Sequence, residues 1–132
     1  MGAEPWQYFV PYEQDTQAAL ERLKEREFQA GRFRFSEEHP TTIEEAREIA
    51  DADGTGSILD IDGVGDEPDF GVVVPLSAEN LVELYGTAQP THEMIEANLD
   101  FYEDIERGQG IYIVVYKGGK PAEIFFAGYS YD

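Results

Sequence analysis

Cysteine is absent from this sequence of 132 residues. Its absence excludes disulfide bonds, thiolate metal ligands and cysteine nucleophiles. Histidine is scarce, because His39 and His92 are the only two, so a zinc site would need carboxylates among its ligands. The sequence also lacks a phosphate-binding loop, a nucleophile elbow and a dinucleotide-binding fingerprint. These absences favour a protein without an enzymatic activity, and we expect no cofactor.

Long apolar runs are also missing from the chain. No stretch approaches the roughly 20 apolar residues that cross a bilayer as a helix. The first residues, Met1 to Trp6, lack the basic region and the apolar run of a secretory signal peptide. We therefore expect a cytoplasmic protein that does not insert into membranes.

Positively charged residues are also few in this sequence. Nine Lys and Arg residues stand against 28 Asp and Glu, which gives a formal net charge of −19. Nucleic acid and anionic membranes attract basic surfaces, so both are poor partners for this chain. A basic protein partner would be attracted instead. The alternative is that the acidic surface serves solubility in a salt-rich cytoplasm, which would also explain why there are only three lysines.

The length and the hydrophobic content of 42% predict a single folded domain over residues 1–132. Strands and helices alternate irregularly, and hairpin-type joins outnumber helical crossovers. We therefore expect an α+β fold, with a mostly antiparallel sheet and about four helices packed mainly on one face. The predicted helices are residues 15–30, 42–52, 77–86 and 90–107, and the predicted strands are 6–10, 57–61, 70–74, 111–116 and 122–127.

The C-terminal β-hairpin is predicted to be central to the core. Its strands are rich in β-branched and aromatic residues, and Gly118-Gly119 suits a two-residue turn that needs positive φ. With that turn, the expected cross-strand pairs are Lys117 with Lys120, Val115 with Ala122, Ile113 with Ile124, and Ile111 with Phe126. Side chains alternate between faces along a strand, so the last three pairs would form one aliphatic face.

The other face of the hairpin would carry Tyr112, Tyr116 and Phe125 around Glu123. Tyrosine buries a large area while keeping a polar tip, so such a face is typical of a recognition surface. The alternative is that a helix or the N-terminal strand covers it. The sequence thus favours a small acidic binding protein, such as an inhibitor or immunity-type protein, that contacts a basic protein partner through these four residues.

Residues 51–62 resemble the calcium-binding loop of the EF-hand family. Asp51, Asp53 and Thr55 match its first, third and fifth positions, and Gly56 matches its turn glycine. Two features differ: Asp62 replaces the bidentate glutamate, and the residues that follow do not predict an exiting helix. We expect a helix end, a glycine turn and a strand start here, with calcium binding through Asp51, Asp53, Thr55 and Asp62 as an alternative.

A different alternative is a small-molecule-binding or hydrolytic enzyme with its site between the sheet and the helices. His92 and Glu96 lie four residues apart in a predicted helix, and therefore on one helix face. Acidic side chains could then share acid and base roles with His92, provided that their surroundings separate the pKa values.

Overall fold

The computed structural model describes residues 4–34, 40–50 and 54–131. The strands are β1 (Pro5–Pro11), β2 (Gly63–Val64), β3 (Val72–Pro75), β4 (Gly110–Lys117) and β5 (Lys120–Tyr129). The α-helices are α1 (Thr16–Ala30), α2 (Ile43–Ala50), α3 (Ala78–Tyr85) and α4 (His92–Ala97). Short 3-10 helices cover Ile58–Asp60 and Asp100–Asp104.

The five strands form one sheet in the order β1-β5-β4-β3-β2. The β1–β5 and β5–β4 pairs are antiparallel, whereas β4–β3 and β3–β2 are parallel. The predicted α+β class is confirmed, and the sheet is mixed rather than purely antiparallel. The helices α3 and α4 join β3 to β4, and a connection through helices can return the chain parallel to the strand it left.

Local capping signals set the ends of two helices where the sequence predicts them. Asp15 accepts a hydrogen bond from the backbone N–H of Ala18 at 3.2 Å, and Gly31 ends α1 at φ 71°. Ser77 likewise accepts from the N–H of Asn80, and α3 ends at Gly86. Such caps satisfy N–H and C=O groups that have no partner within the helix. Among the described residues, no helix combines the length and the apolar character that crossing a membrane requires.

Two predicted elements differ in the structure. Residues 57–61, expected as a strand, contain the 3-10 helix Ile58–Asp60, because Ser57 caps it by accepting from the N–H of Leu59. The predicted helix 90–107 is interrupted at Asn98, whose backbone is extended. The Asn98 side chain accepts from the N–H of Asp100 at 2.9 Å, and such local bonds compete with helix continuation.

The hairpin is present, with a different register from the predicted one. Gly118 and Gly119 have φ of 61° and 79°, and Lys117 pairs with Lys120 as expected. An irregularity at Val115 and Tyr116 then shifts the pairing by one residue. Pro121 lies beside this irregularity and has no N–H for the ladder, which is why proline in sheets favours edges and bulges. The resulting pairs are Val115 with Glu123, Ile113 with Phe125, and Ile111 with Ala127.

The hydrophobic interior forms two clusters on opposite faces of the sheet. The first core joins α1, α2 and the 3-10 helix Ile58–Asp60 to side chains that include Val73, Ile124 and Phe126. The second core joins α3, α4 and the 3-10 helix Asp100–Asp104 to side chains that include Ile113 and Phe125. The helices therefore cover both faces of the sheet rather than mainly one, because β4 and β5 present apolar side chains to each side.

Candidate functional site

The structure separates the four hairpin residues predicted to form one recognition surface. Phe125 is 0% exposed and lies in the second core beside Ile113, so its expected place on a surface is wrong. The one-residue shift in register is the cause, since it moves a side chain to the other face. Tyr112 is half-buried against the first core, with its ring centroid 6.1 Å from that of Phe126. The binding role of Tyr112, Tyr116 and Glu123 stays a prediction.

Tyr116 and Glu123 both lie near the turn end of the hairpin. Both line a cavity of about 610 Å³, the hairpin cavity, together with Thr91, His92 and Lys117. The start of α4 is attached there, because the N–H of Tyr116 donates to the carbonyl oxygen of Pro90 at 2.9 Å. The carboxylate and one of the predicted aromatic residues thus share one partly exposed site.

The imidazole of His92, which lines this cavity, contacts two carboxylates and one aromatic ring. Its Nδ1 lies 2.8 Å from Glu123 Oε1, and its Nε2 lies 3.3 Å from Glu96 Oε1. The ring also stacks on Phe9, with 3.7 Å between the ring centroids. The hydrogen bond to Glu123 raises the pKa of His92 above its ordinary value, and the charge of Glu96 adds to this.

These contacts bear on the enzymatic alternative. A neutral imidazole donates through only one nitrogen, so carboxylates at both nitrogens favour the imidazolium. A general base needs a free lone pair near the proton that it removes. The pair His92 and Glu123 therefore resembles a structural ion pair more than the base of a hydrolase.

In the stretch that resembles a calcium loop, the side chains of Thr55 and Asp62 bond to other protein groups. Thr55 is buried and donates from its Oγ1 and its N–H to Asp60 Oδ1, at 2.8 and 2.7 Å. The other oxygen of Asp60 accepts from Ser130 Oγ at 2.8 Å. Asp62 is 64% exposed and pairs with Arg47. Thr55 and Asp62 thus face different partners, while Asp51 and Asp53 lie outside the described residues.

The buried carboxylate of Asp60 therefore has a structural role. It joins the loop at Thr55 to Ser130, which follows β5, and it is itself buried in the protein. Within residues 4–34, 40–50 and 54–131, no three His, Asp or Glu side chains are arranged to hold a metal ion. Calcium binding stays a prediction from the sequence alone.

Another depression, the acidic groove, lies on the side of the second core and has a volume of about 580 Å³. The central parallel strands provide part of its apolar floor through Val74 and Ile111. The helix α3 and the 3-10 helix Asp100–Asp104 form its walls, and they add Leu84 and Phe101 to that floor.

The rim of the acidic groove carries charge of one sign. It has five exposed carboxylates, and no lysine, arginine or histidine lines it among the described residues; these carboxylates are Asp66, Glu83, Asp100, Glu103 and Asp104. Like charges this close repel one another, which costs stability, and a cationic ligand would relieve the repulsion. The groove therefore combines an apolar floor with an anionic rim.

Hydrogen bonds between the two walls hold the acidic groove in shape. Asn98 Nδ2 donates to the carbonyl oxygen of Leu84 at 3.0 Å, and Tyr85 Oη donates to the carbonyl oxygen of Asn98 at 2.9 Å. Burial raises the pKa of Tyr85 to about 12, so its hydroxyl stays a donor. These bonds tie the end of α3 to the segment that begins the 3-10 helix. A preformed groove loses less entropy when it binds a ligand.

Sequence reasoning missed this groove, because its five carboxylates come from three separate segments of the chain. Asp66 precedes β3, Glu83 lies in α3, and the other three lie in the 3-10 helix. A run such as Asp100, Glu103 and Asp104 is visible in the sequence, but it is typical of any solvated helix face. The partnership with Glu83 and with the apolar floor depends on how α3 packs.

No protein-family model matches this chain, and neither the curated proteins nor the solved structures include a match.

Proposed function

We propose that this protein binds a basic protein partner, and that the acidic groove is where it does so. The observation that carries the proposal is the groove itself: in the described part of the chain it has five carboxylates and no cationic side chain, above an apolar floor. The net charge of −19 supports it, because long-range attraction speeds the encounter with a basic partner. Net charge alone does not define a binding site, whereas the groove gives the partner a specific one.

The two parts of the groove would contribute differently to binding. Exposed rim charges mostly increase the rate of association and make it depend on salt. Apolar side chains that enter a desolvated depression contribute most of the affinity, as interface hot spots do. The expected partner segment therefore carries lysine or arginine on both sides of one or two apolar residues.

A display experiment tests this expectation without a known partner. Random peptides would be panned against the immobilised protein, and the winning peptide would be synthesised for calorimetric titration. We expect the selected peptides to combine Lys or Arg with an apolar residue. The triple variant Glu83→Lys, Asp100→Lys, Asp104→Lys should bind the winning peptide at least about tenfold more weakly, which corresponds to about 1.4 kcal/mol.

The control is a second triple variant with the same net charge. Glu21→Lys, Glu25→Lys and Glu48→Lys reverse three exposed carboxylates on α1 and α2, which pack on the opposite face of the sheet. This variant should lose less than about threefold in affinity, since only long-range attraction changes. Equal losses in both variants would mean that the peptide responds to net charge and that the groove is not a site.

A narrower form of the proposal is an inhibitor or immunity-type protein, which would block the activity of its basic partner by occupying it. Tyr116 and Glu123, at the hairpin cavity, are then candidates for a second contact. Once a partner is known, Tyr116→Ala should speed dissociation if the ring is a hot spot, by about 2 kcal/mol or more. An unchanged dissociation rate would leave the groove as the binding site without the hairpin.

A further inference from the structure

A second depression, the aromatic cleft, adjoins the acidic groove. It has a volume of about 710 Å³, and its lining contains three aromatic rings, two carboxylates and one guanidinium: Phe70, Tyr102, Tyr129, Glu103, Glu106 and Arg107. Ile105 and Glu103 line both depressions. The two are therefore neighbours along one surface, separated by the 3-10 helix Asp100–Asp104 and the residue after it.

Phe70 is the most unusual residue of the cleft. Its side chain is 63% exposed, the highest value among the large apolar side chains of the described residues that are exposed. Its ring lies tilted against that of Tyr131, with 5.8 Å between the centroids and 50° between the planes. Much of the ring surface is thus open. An exposed phenyl ring costs free energy in water, and a ligand that covers it would recover this cost.

The two tyrosines form another part of the lining. The rings of Tyr102 and Tyr129 lie 5.2 Å apart at 59°. Tyr102 Oη donates to the carbonyl oxygen of Trp6 at 2.8 Å, which fixes the ring against β1. Burial raises the pKa of Tyr102, so this hydroxyl remains protonated and keeps the bond. These rings are positioned before any ligand arrives.

The charges of the lining favour a cation. Glu103 and Glu106 contribute two negative charges and Arg107 one positive charge, so the lining is anionic overall. Aromatic faces carry negative electrostatic potential and attract cations within about 6 Å of the ring centroid. A planar guanidinium can stack on a ring and also donate to carboxylates, which an ammonium group does less well.

We propose that the aromatic cleft binds an arginine side chain of the basic partner, next to the apolar residue that enters the acidic groove. The inference rests on the proposed function for its biological meaning, since the arginine would belong to that partner. Its physical basis is separate, because the cleft joins three rings and two carboxylates in one cavity. The shared residues Ile105 and Glu103 place the two subsites side by side.

A small ligand tests the cleft apart from the groove. Acetyl-arginine amide would be titrated into the ¹⁵N-labelled protein and followed by NMR, with acetyl-citrulline amide as the neutral control of nearly the same shape. We expect saturable shifts at Phe70, Tyr102 and Tyr129 with the arginine compound, and none with the citrulline compound. Equal shifts with both compounds, or shifts centred elsewhere, would overturn the proposal.

Two variants sharpen the test. Phe70→Ala should weaken the binding of acetyl-arginine amide roughly two- to fivefold, as expected for the loss of one cation–π contact. Met94→Ala removes an exposed apolar side chain of α4 that does not line the cleft, and it should leave the affinity unchanged. Equal affinity in wild type and Phe70→Ala would show that the ring does not bind the cation.

The outcome also separates this inference from the proposed function. Acetyl-arginine amide carries no apolar anchor, and Glu83, Asp100 and Asp104 do not line the cleft. The triple variant Glu83→Lys, Asp100→Lys, Asp104→Lys should therefore keep the NMR shifts that acetyl-arginine amide causes at the cleft. It should no longer bind the peptides selected by display. If the triple variant loses peptide binding and keeps the NMR shifts, both sites are supported. If the wild-type protein shows the NMR shifts but selects no basic peptide, the cleft is supported and the proposed function is contradicted.

Discussion

The imidazole Nδ1 of His92 lies 2.8 Å from Oε1 of Glu123, and this contact attaches the first residue of α4 to β5. Phe9 of β1 stacks on the same ring, with 22° between the ring planes. One side chain therefore contacts two strands and its own helix. Its protonation state should influence how firmly α4 is held on the sheet.

The His92 contacts predict a pH-dependent stability. Because the folded protein raises the pKa of His92, this side chain stabilises the fold fully below its unfolded pKa of about 6.5. The contribution is lost as the pH rises through the folded pKa. We expect the difference in unfolding free energy between wild type and His92→Gln to shrink between about pH 5 and pH 9. A difference that does not vary over this range would contradict the prediction, and Glu123→Gln should reduce the variation.

Ile113 provides a test of the second core. It is 1% exposed in β4 and pairs with Phe125. Ile113→Ala should lower the unfolding free energy by about 2–5 kcal/mol, since it removes buried methyl groups and leaves a cavity. Urea unfolding would measure the loss. Val82→Ala, at a side chain that is 51% exposed, is the control and should change the free energy by less than about 0.5 kcal/mol.

Asp60 should be intolerant of a change that alters only its hydrogen-bonding pattern. Its two oxygens accept three bonds from Thr55 and Ser130. In Asp60→Asn, one oxygen becomes an NH₂ group that faces donors, which leaves buried groups unpaired. The expected loss is about 1–3 kcal/mol in urea unfolding. Asp66→Asn, at an exposed position, is the matched control, and equal losses at both sites would show that the buried network does not matter.

The resemblance to a calcium loop leads to a negative prediction. Thr55 already bonds to Asp60, and Asp62 pairs with Arg47, so both would have to be released to bind an ion. Calorimetric titration with calcium should show no affinity tighter than about 1 mM, the weak end of the EF-hand range. Micromolar binding that disappears in Asp51→Ala would show that the loop is a calcium site.

The net charge of −19 should make the fold more stable in salt. Repulsion among the carboxylates opposes folding, and the distance over which it acts falls from about 30 Å at 0.01 M to about 3 Å at 1 M ionic strength. The melting temperature should therefore rise over this range of sodium chloride. Sulfate is avoided, because it also strengthens apolar burial. A constant melting temperature would indicate that local pairing neutralises the acidic surface.

Features that depend on neighbouring residues could be predicted from the sequence. Asp15 and Gly31 bound α1, Ser77 and Gly86 bound α3, and Gly118 forms the hairpin turn, because caps and turns are decided within a few residues. Pro11 at the end of β1 cannot donate to a ladder, which favours a short or edge strand, and β1 lies at the edge of the sheet. The α+β class is the sum of such local preferences.

Tertiary structure alone decided where the strands and the functional side chains meet. The one-residue shift beside Pro121 placed Phe125 in the core, although alternation along an ideal hairpin put it with Tyr112 and Tyr116. The helical crossover from β3 to β4 made the sheet mixed, and the packing of α3 brought Glu83 to Asp104 across the acidic groove. Each outcome depends on contacts between segments distant in the chain. Local propensity does not encode such contacts, because they become favourable only when the whole core is packed.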